Sequence, residues 1–275
     1  MQNQPVDIPK PLLDGILAGN VILFLGSGAS YGAVHPNNAR IPQGQELSDL
    51  IASKYLDDSY TGKSLQVVSE LAISERNLFE VQSFIAELFE KYTPAQHHKL
   101  IPTFVWHSIA TTNYDLILER AYNECKDRAQ ELAVCKRNGE KMAAKFSSKR
   151  NVLYMKLHGC ITDIGDEKLP LILTPDQYLT HKKGRSRLFE RLKEHAYEYP
   201  ILFIGTSLTD PDIRAILWEL SEQIDARPRS FMVGPKIKSA ELRFWETKKI
   251  TSICTTFEAF LNSIFHVVTP QQRKM

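Results

Sequence analysis

The chain is poor in cysteine, with four in 275 residues. Cys125, Cys135, Cys160 and Cys254 form no C-x-x-C pair. Zinc ribbons and thioredoxin-like redox motifs need such pairs, so both are excluded and the four are read as reduced thiols. No H-x-x-x-H spacing occurs among the histidines, so no metal is expected. No apolar run approaches the ~20 residues that span a bilayer. Met1 to Lys10 lacks the apolar h-region of a signal peptide, so a cytoplasmic protein with no membrane partner is expected. Charge of one sign is also lacking: 34 Lys and Arg against 32 Asp and Glu leave a net +2. That balance gives no electrostatic case for direct nucleic-acid binding. Two local clusters, Lys136, Arg137, Lys141, Lys145, Lys149 and Arg150 near Gly139, and Lys182, Lys183, Arg185 and Arg187 around Gly184, read as solvated loops. There is no internal repeat, no low-complexity segment and no G-x-x-x-x-G-K-[ST] P-loop.

What the chain does contain is an alternation. Hydrophobic residues make up 43% and charged ones 24%, enough for a packed core at this length. Continuous apolar runs at Val21–Leu25, Ser108–Thr111, Val152–Met155, Leu171–Leu173, Ile201–Ile204, Ser230–Val233 and Ile250–Ile253 read as strands covered on both faces. Helical spacing fills Gln45–Tyr55, Asp115–Asn138, Ser186–Tyr197, Asp212–Ile224, Ser239–Thr247 and Phe257–Phe265. The pattern predicts an α/β fold, a Rossmann-like doubly wound parallel sheet. Residues 57–104 carry helical spacing without a strand candidate and are read as an inserted helical module, with 175–198 a candidate addition to it. The expected division is 1–56 with 105–266 as the Rossmann-like domain and 267–275 as a tail.

Polar residues cluster where strands end. Gly26-Ser27-Gly28-Ala29-Ser30 follows the first run directly, as a phosphate-binding turn does, although a tightly packed turn has the same composition. The dehydrogenase fingerprint G-x-G-x-x-G fails, because the glycine after Gly28 is Gly32 and no strand ending in an acid follows at ~20 residues. Thr112-Asn113-Tyr114-Asp115 ends one strand and opens a helix: Asp115 suits an N-cap, while Asn113 has no evident structural duty. His158, before Gly159, sits at another strand end, where an imidazole can serve as a base or be structural. Gly205-Thr206-Ser207 and Asp210 repeat the layout, with hydroxyls suited to a ribose or phosphate and Asp210 or Asp212 to a helix cap.

Taken in order, these segments resemble the sirtuin superfamily, and more closely its sirtuin-like branch in prokaryotic antiphage defence proteins. The family's G-A-G-x-S loop appears as Gly26 to Ser30, followed by Ile41-Pro42 in place of G-I-P. T-Q-N-I-D becomes Thr111 to Asp115, H-G becomes His158-Gly159, and G-T-S-L is unchanged at Gly205 to Leu208. The four-cysteine zinc ribbon of the protein deacylases is missing, since the interval from Cys160 to Pro200 holds one cysteine. The resemblance therefore implies an NAD glycohydrolase with NAD as substrate, the toxic effector of a defence system that depletes NAD in abortive infection. An NAD-dependent deacylase, or a non-catalytic module that binds NAD or ADP-ribose, are the alternatives. By residue matches Asn113 orients water and ribose, and His158 acts as base or holds a ribose hydroxyl. Asp115, with Thr112 beside it, meets the carboxamide; Gly26 to Ser30 cradle the pyrophosphate; Thr206 and Ser207, with Asp210 beside them, hold the adenosine side. The family also implies a homo-oligomer gated by a partner, such as a hexameric HerA-like ATPase or an argonaute-like protein, with nucleic acid sensed only indirectly.

Overall fold

The apolar runs become the strands of one parallel sheet in the computed structural model, which describes residues 6–140, 150–180, 182–222 and 224–273. The strands are β1 Ile22–Leu25, β2 Ser108–Thr111, β3 Glu131–Cys135, β4 Asn151–Lys156, β5 Ile201–Ile204, β6 Ser230–Gly234 and β7 Ile250–Cys254. Their order is β3-β4-β2-β1-β5-β6-β7, all parallel. The doubly wound expectation therefore holds. Along each strand successive side chains point to opposite faces. Leu23, Leu25, Ile109, Tyr154, Leu202 and Ile204 join one core with Leu12 and Ile16 of α1 (Lys10–Leu17) and Phe260 and Ile264 of α10 (Phe257–Val267). Ile22, Phe24, Ala110, Met155 and Phe203 join the other, under α7 (Lys182–Glu198) and α8 (Pro211–Ser221). Each such side chain, fully buried, stabilises the fold by about 1.5–3 kcal/mol.

A third core lies beyond the sheet's carboxyl edge. It is built by α2 (Gly44–Tyr55), α3 (Leu65–Glu75) and α4 (Leu78–Glu90), through Leu47, Ile51, Val68, Ala72, Val81 and Ile85. Local chemistry starts these helices: Ser64 Oγ accepts from Val67 N at 3.4 Å, Asn77 Oδ1 from Glu80 N at 2.8 Å, and Glu46 Oε2 from Gln43 N at 2.9 Å. Ile161, Leu171 and Leu173 pack into this layer from the stretch between β4 and α6 (Pro175–Thr180). Leu188, Phe189 and Leu192 of α7 pack on the sheet instead. Among the described residues the remaining α-helices are α5 (Ile117–Glu124), α9 (Ser239–Thr247) and α11 (Pro270–Arg273).

Three local expectations are corrected. Glu131–Cys135 is an edge strand rather than the end of a long helix: α5 stops at Glu124, and residues 131–135 pair in parallel with β4 at the edge of the sheet, half-buried Leu132 and Val134 alternating with buried Ala133 and Cys135. Leu171–Leu173 is buried but is no strand, because its amides find other partners: Gln82 Oε1 at 2.6 Å, His158 O at 3.0 Å and Gln177 Oε1 at 2.8 Å. Arg185 is no solvated loop residue; it is 2% exposed on α7 and donates to the carbonyls of Lys136, Leu169 and Pro170. Lys141, Lys145 and Lys149 lie outside the described residues.

Candidate active site

In an open α/β sheet ligands bind at the carboxyl edge where the strand order reverses. Here that place is between β1 and β5, since the chain proceeds from β1 to β2 on one side and later to β5 on the other. Register aligns the strand ends: Leu25 pairs with Thr111 and Ile204, and Thr111 with Lys156. The loops that follow β1, β2, β4 and β5 therefore emerge together. Those after β1 and β5 interlock through glycine. Gly205 has φ +67°, and a Cβ there would lie 2.0 Å from Ala29 N. One on Gly26 would lie 2.6 Å from Gly205 O. The amides of Gly26, Gly28 and Ala29 are bonded to Ile204 O, Gly205 O and Gly26 O at 2.8–2.9 Å. Gly28 and Ala29 thus serve loop packing and do not reach the pocket.

Asn113 is held by a network. Thr111 Oγ1 donates to Leu25 O at 2.7 Å and accepts from Asn113 N at 2.9 Å. Asn113 Nδ2 donates to Gly26 O at 2.9 Å and to Ser30 Oγ at 3.1 Å. Ser30 Oγ donates in turn to Asp115 Oδ2 at 2.7 Å, and Asp115 Oδ1 accepts from Ile117 N at 2.9 Å. A backbone carbonyl can only accept, so the amide orientation is set by Gly26 O. With both amide hydrogens placed inside the protein, Oδ1 is the part of the side chain left to act, and it acts as an acceptor. Asp115 is not the N-cap that its position suggested: Leu116 holds that place, and Asp115 forms the Asx turn before it by accepting from Ile117 N, while also belonging to this network.

His158 follows β4 and is 2% exposed. Its Nε2 stands 3.7 Å from Asp210 Oδ2 and 3.5 Å from Asp212 Oδ2, and its ring meets that of Tyr178 edge-on at 5.2 Å. Tyr178 donates to Asp210 Oδ2 at 3.1 Å, while Asp210 Oδ1 caps α8 by accepting from Asp212 N and Ile213 N at 3.1 and 3.2 Å. Burial, with the nearby Asp210 carboxylate adding to it, pushes the phenols of Tyr178 and Tyr114 up, so both stay protonated donors. The donor atoms of His158, Asp210 and Asp212 lie within 4.8 Å of one another, and this is the group among the described residues that could hold a metal ion.

These elements enclose a pocket of about 360 Å³. Its lining includes every site residue put forward from the sequence, Gly26, Ser27, Ser30, Thr112, Asn113, Asp115, His158, Gly205, Thr206, Ser207 and Asp210, apart from Gly28 and Ala29. Ile41, Pro42, Leu47, Ser64 and Gln66 close it from the helical layer. Sequence reasoning missed Tyr178 and Asp212. Nothing local marks Tyr178, which reaches the site only because α6, packed against α3 and α7, sets its ring against His158. Asp212 was read as a cap, and its place beside His158 is a tertiary fact. His98 is structural: its Nδ1 accepts from Ala95 N at 2.9 Å, so Nε2 carries the hydrogen donated to Ala29 O at 2.9 Å.

Comparison with known proteins agrees with the fold. The family described as SIR2-like domain matches residues 107–253. Among curated proteins the chain is 28% identical to NAD(+) hydrolase ThsA of Enterococcus faecium, over 78% of this chain and 43% of that protein. It is 26% identical to NAD(+) hydrolase ThsA of Bacillus cereus, over 76% and 41%. Defense-associated sirtuin 2 of Bacillus subtilis is 22% identical, over 92% of this chain and 25% of its own length. The chain thus spans less than half the length of these relatives. Among solved structures, a mutant Sir2 homologue in complex with ADP-ribose shares the fold with a TM-score of 0.53 at 15% identity, covering 94% of this chain and 96% of that one. Another, with 2′-O-acetyl ADP-ribose, gives 0.51 at 15% identity over the same shares.

Proposed function

The chain belongs to the SIR2-like family by its match over residues 107–253, and on that premise we propose that it is an NAD glycohydrolase, converting NAD and water to ADP-ribose, nicotinamide and a proton. The observation that carries this reading is that Asn113, with its carboxamide oxygen as the available acceptor, and His158, flanked by Asp210 and Asp212, line one pocket at the β1/β5 crevice.

Cleavage of the nicotinamide–ribose bond passes through an oxocarbenium-like state and needs positioned groups more than strong acids. Asn113 Oδ1 accepts from the attacking water or a ribose hydroxyl and orients it. His158 holds the ribose or takes the proton that water loses. The carboxylate of Asp210 places negative charge beside the developing cation. Each oxygen of Asp115 holds one protein donor and retains acceptor capacity for the carboxamide, near Thr112. Ser27, on the loop held in place by Gly26 and Ser30, meets the pyrophosphate, and Thr206 and Ser207 the adenosine side.

The same reading assigns residues 1–56 and 105–266 to the NAD-binding part and 57–104 to an insert that closes the pocket. It makes the chain the NAD-depleting effector of an antiphage system acting by abortive infection in the cytoplasm. A homo-oligomer controlled by a partner protein, a HerA-like ATPase or an argonaute-like protein, suits so toxic an activity. No helix among the described residues is long and apolar enough to cross a membrane.

Chromatography of NAD incubated with wild type, Asn113→Ala and His158→Ala tests the activity. Equimolar nicotinamide and ADP-ribose from wild type, and neither from the variants, is the expected result. Deacetylation of an acetyl-lysine peptide coupled to nicotinamide release would overturn it.

A further inference from the structure

Among the described residues, Lys156 is a cation with no exposed surface, and the chemistry assigned above does not use it. It ends β4 opposite Thr111 of β2 and precedes His158 by two residues. Its Nζ donates to the main-chain carbonyl of Asp115 and, at 2.9 Å, to Glu119 Oε1 in the first turn of α5. Burial alone would drive a lysine toward its neutral form, but Glu119, Cys160 and Asp115 together reverse this, so the ammonium keeps its charge. A charge is costly to keep in such a place, and an apolar residue would serve a purely packing role at least as well.

The bonds have a definite direction. Asn113 is fixed on its amino-terminal side by Thr111 and on its side chain by Gly26 and Ser30. The carboxyl side of the 112–115 turn is fixed by the Asp115 carboxylate and by the grip of Lys156 on the Asp115 carbonyl. Leu157 N, next to Lys156, bonds Thr111 O at 2.9 Å, so the strand that carries His158 is tied to both ends of the turn that carries Asn113. The geometry points to Lys156 as a positioning residue that sets Asn113 relative to His158 by clamping the Asp115 carbonyl and the start of α5. Lys156 does not line the pocket. The inference rests on the glycohydrolase reading for its kinetic consequence but not for its structural one.

The test uses the full chain and the double substitution Lys156→Met with Glu119→Gln, which removes the buried cation together with its carboxylate partner and so avoids an unpaired charge. Melting, steady-state nicotinamide release and amide hydrogen exchange are compared with wild type. A cooperative melt is expected, with kcat reduced about 10- to 100-fold while KM changes by less than about threefold. Exchange at Asn113 and Ile117 is expected to quicken about tenfold or more while β1 and β5 are unchanged. Wild-type kcat with unaltered exchange, or a double variant that no longer melts cooperatively, overturns the proposal, the latter in favour of a purely structural lysine. If wild type releases no nicotinamide, the glycohydrolase reading fails, and the exchange measurement still decides the role of Lys156.

Discussion

Asn113 Nδ2 donates to the carbonyl oxygen of Gly26 at 2.9 Å, joining the turn after β2 to the loop after β1. This bond settles which end of the amide acts. Asn113→Asp, isosteric but lacking the donors, would set a carboxylate oxygen against that carbonyl. Nicotinamide release is expected to fall about 100-fold or more although size and shape are kept. Retention of more than a tenth of the rate would show that the donors are dispensable.

Ser30 Oγ is both donor to Asp115 and acceptor for Asn113. Ser30→Ala leaves Asp115 and Asn113 each short of a buried partner. A loss of about 1–3 kcal/mol in stability is expected, with kcat reduced more than KM is raised. Chemical denaturation and nicotinamide kinetics read the two effects separately; an unchanged kcat would confine Ser30 to the fold.

Gly205 and Gly44 give opposite outcomes with the same substitution. At Gly205, φ is +67° and a Cβ would sit 2.0 Å from Ala29 N, so Gly205→Ala is expected to cost about 3 kcal/mol or more, or to prevent folding. At Gly44 nothing lies within 4 Å, so Gly44→Ala should be neutral or stabilising by up to about 1 kcal/mol. Thermal melts decide; similar midpoints for both would mean that the interlocked loops relax.

Tyr178→Phe keeps the ring beside His158 and removes the donor to Asp210. One hydrogen bond to a charged group corresponds to a loss of about tenfold in kcat/KM. No change in nicotinamide kinetics would free Asp210 from dependence on α6.

Two histidines make the fold acid-sensitive. Burial, helped by the neighbouring His97, depresses His98 to about 3, and burial with His107 and Arg191 depresses His195 to about 4. Unfolded, both bind protons from about pH 6.5 downward. Between that value and the folded values the unfolded chain holds more protons, so stability is full above pH 6.5 and is lost as pH falls through about 4 and then about 3. Melting temperature should decline steadily over this window, and less steeply in His195→Phe. Equal slopes for wild type and variant would remove His195 from the account.

Much of the fold was legible because its signals are local. Continuous apolar runs such as Ile22–Leu25 and Ile201–Ile204 suit strands covered on both faces, and helices such as α3 and α4 carry their own caps in Ser64 and Asn77. Glu131–Cys135 was missed because it is short, opens on exposed Glu131 and is only half-buried at Leu132 and Val134, so its alanine and leucine also fit a helical period. Leu171–Leu173 misled because burial alone produced its apolar run; Gln82, far away in sequence, supplies the amide partner that a neighbouring strand would have supplied. Lys156 could have been noticed as a charge inside the run Val152 to Leu157, whereas Tyr178 carried no signal.

The sequence by itself determined the parallel sheet, the strand ends and the polar residues placed there, because apolar periodicity and turn chemistry act over a few residues. The tertiary structure alone decided which of those residues share a pocket. Parallel pairing puts successive strand ends on one edge, but only the strand order brings Gly26 against Gly205, and only the return of α6 sets Tyr178 beside His158. It also decided the division of labour within Thr111 to Asp115. Each oxygen of the Asp115 carboxylate carries a bond that supports the turn, whereas both amide hydrogens of Asn113 are held by the protein and its carboxamide oxygen is left to act.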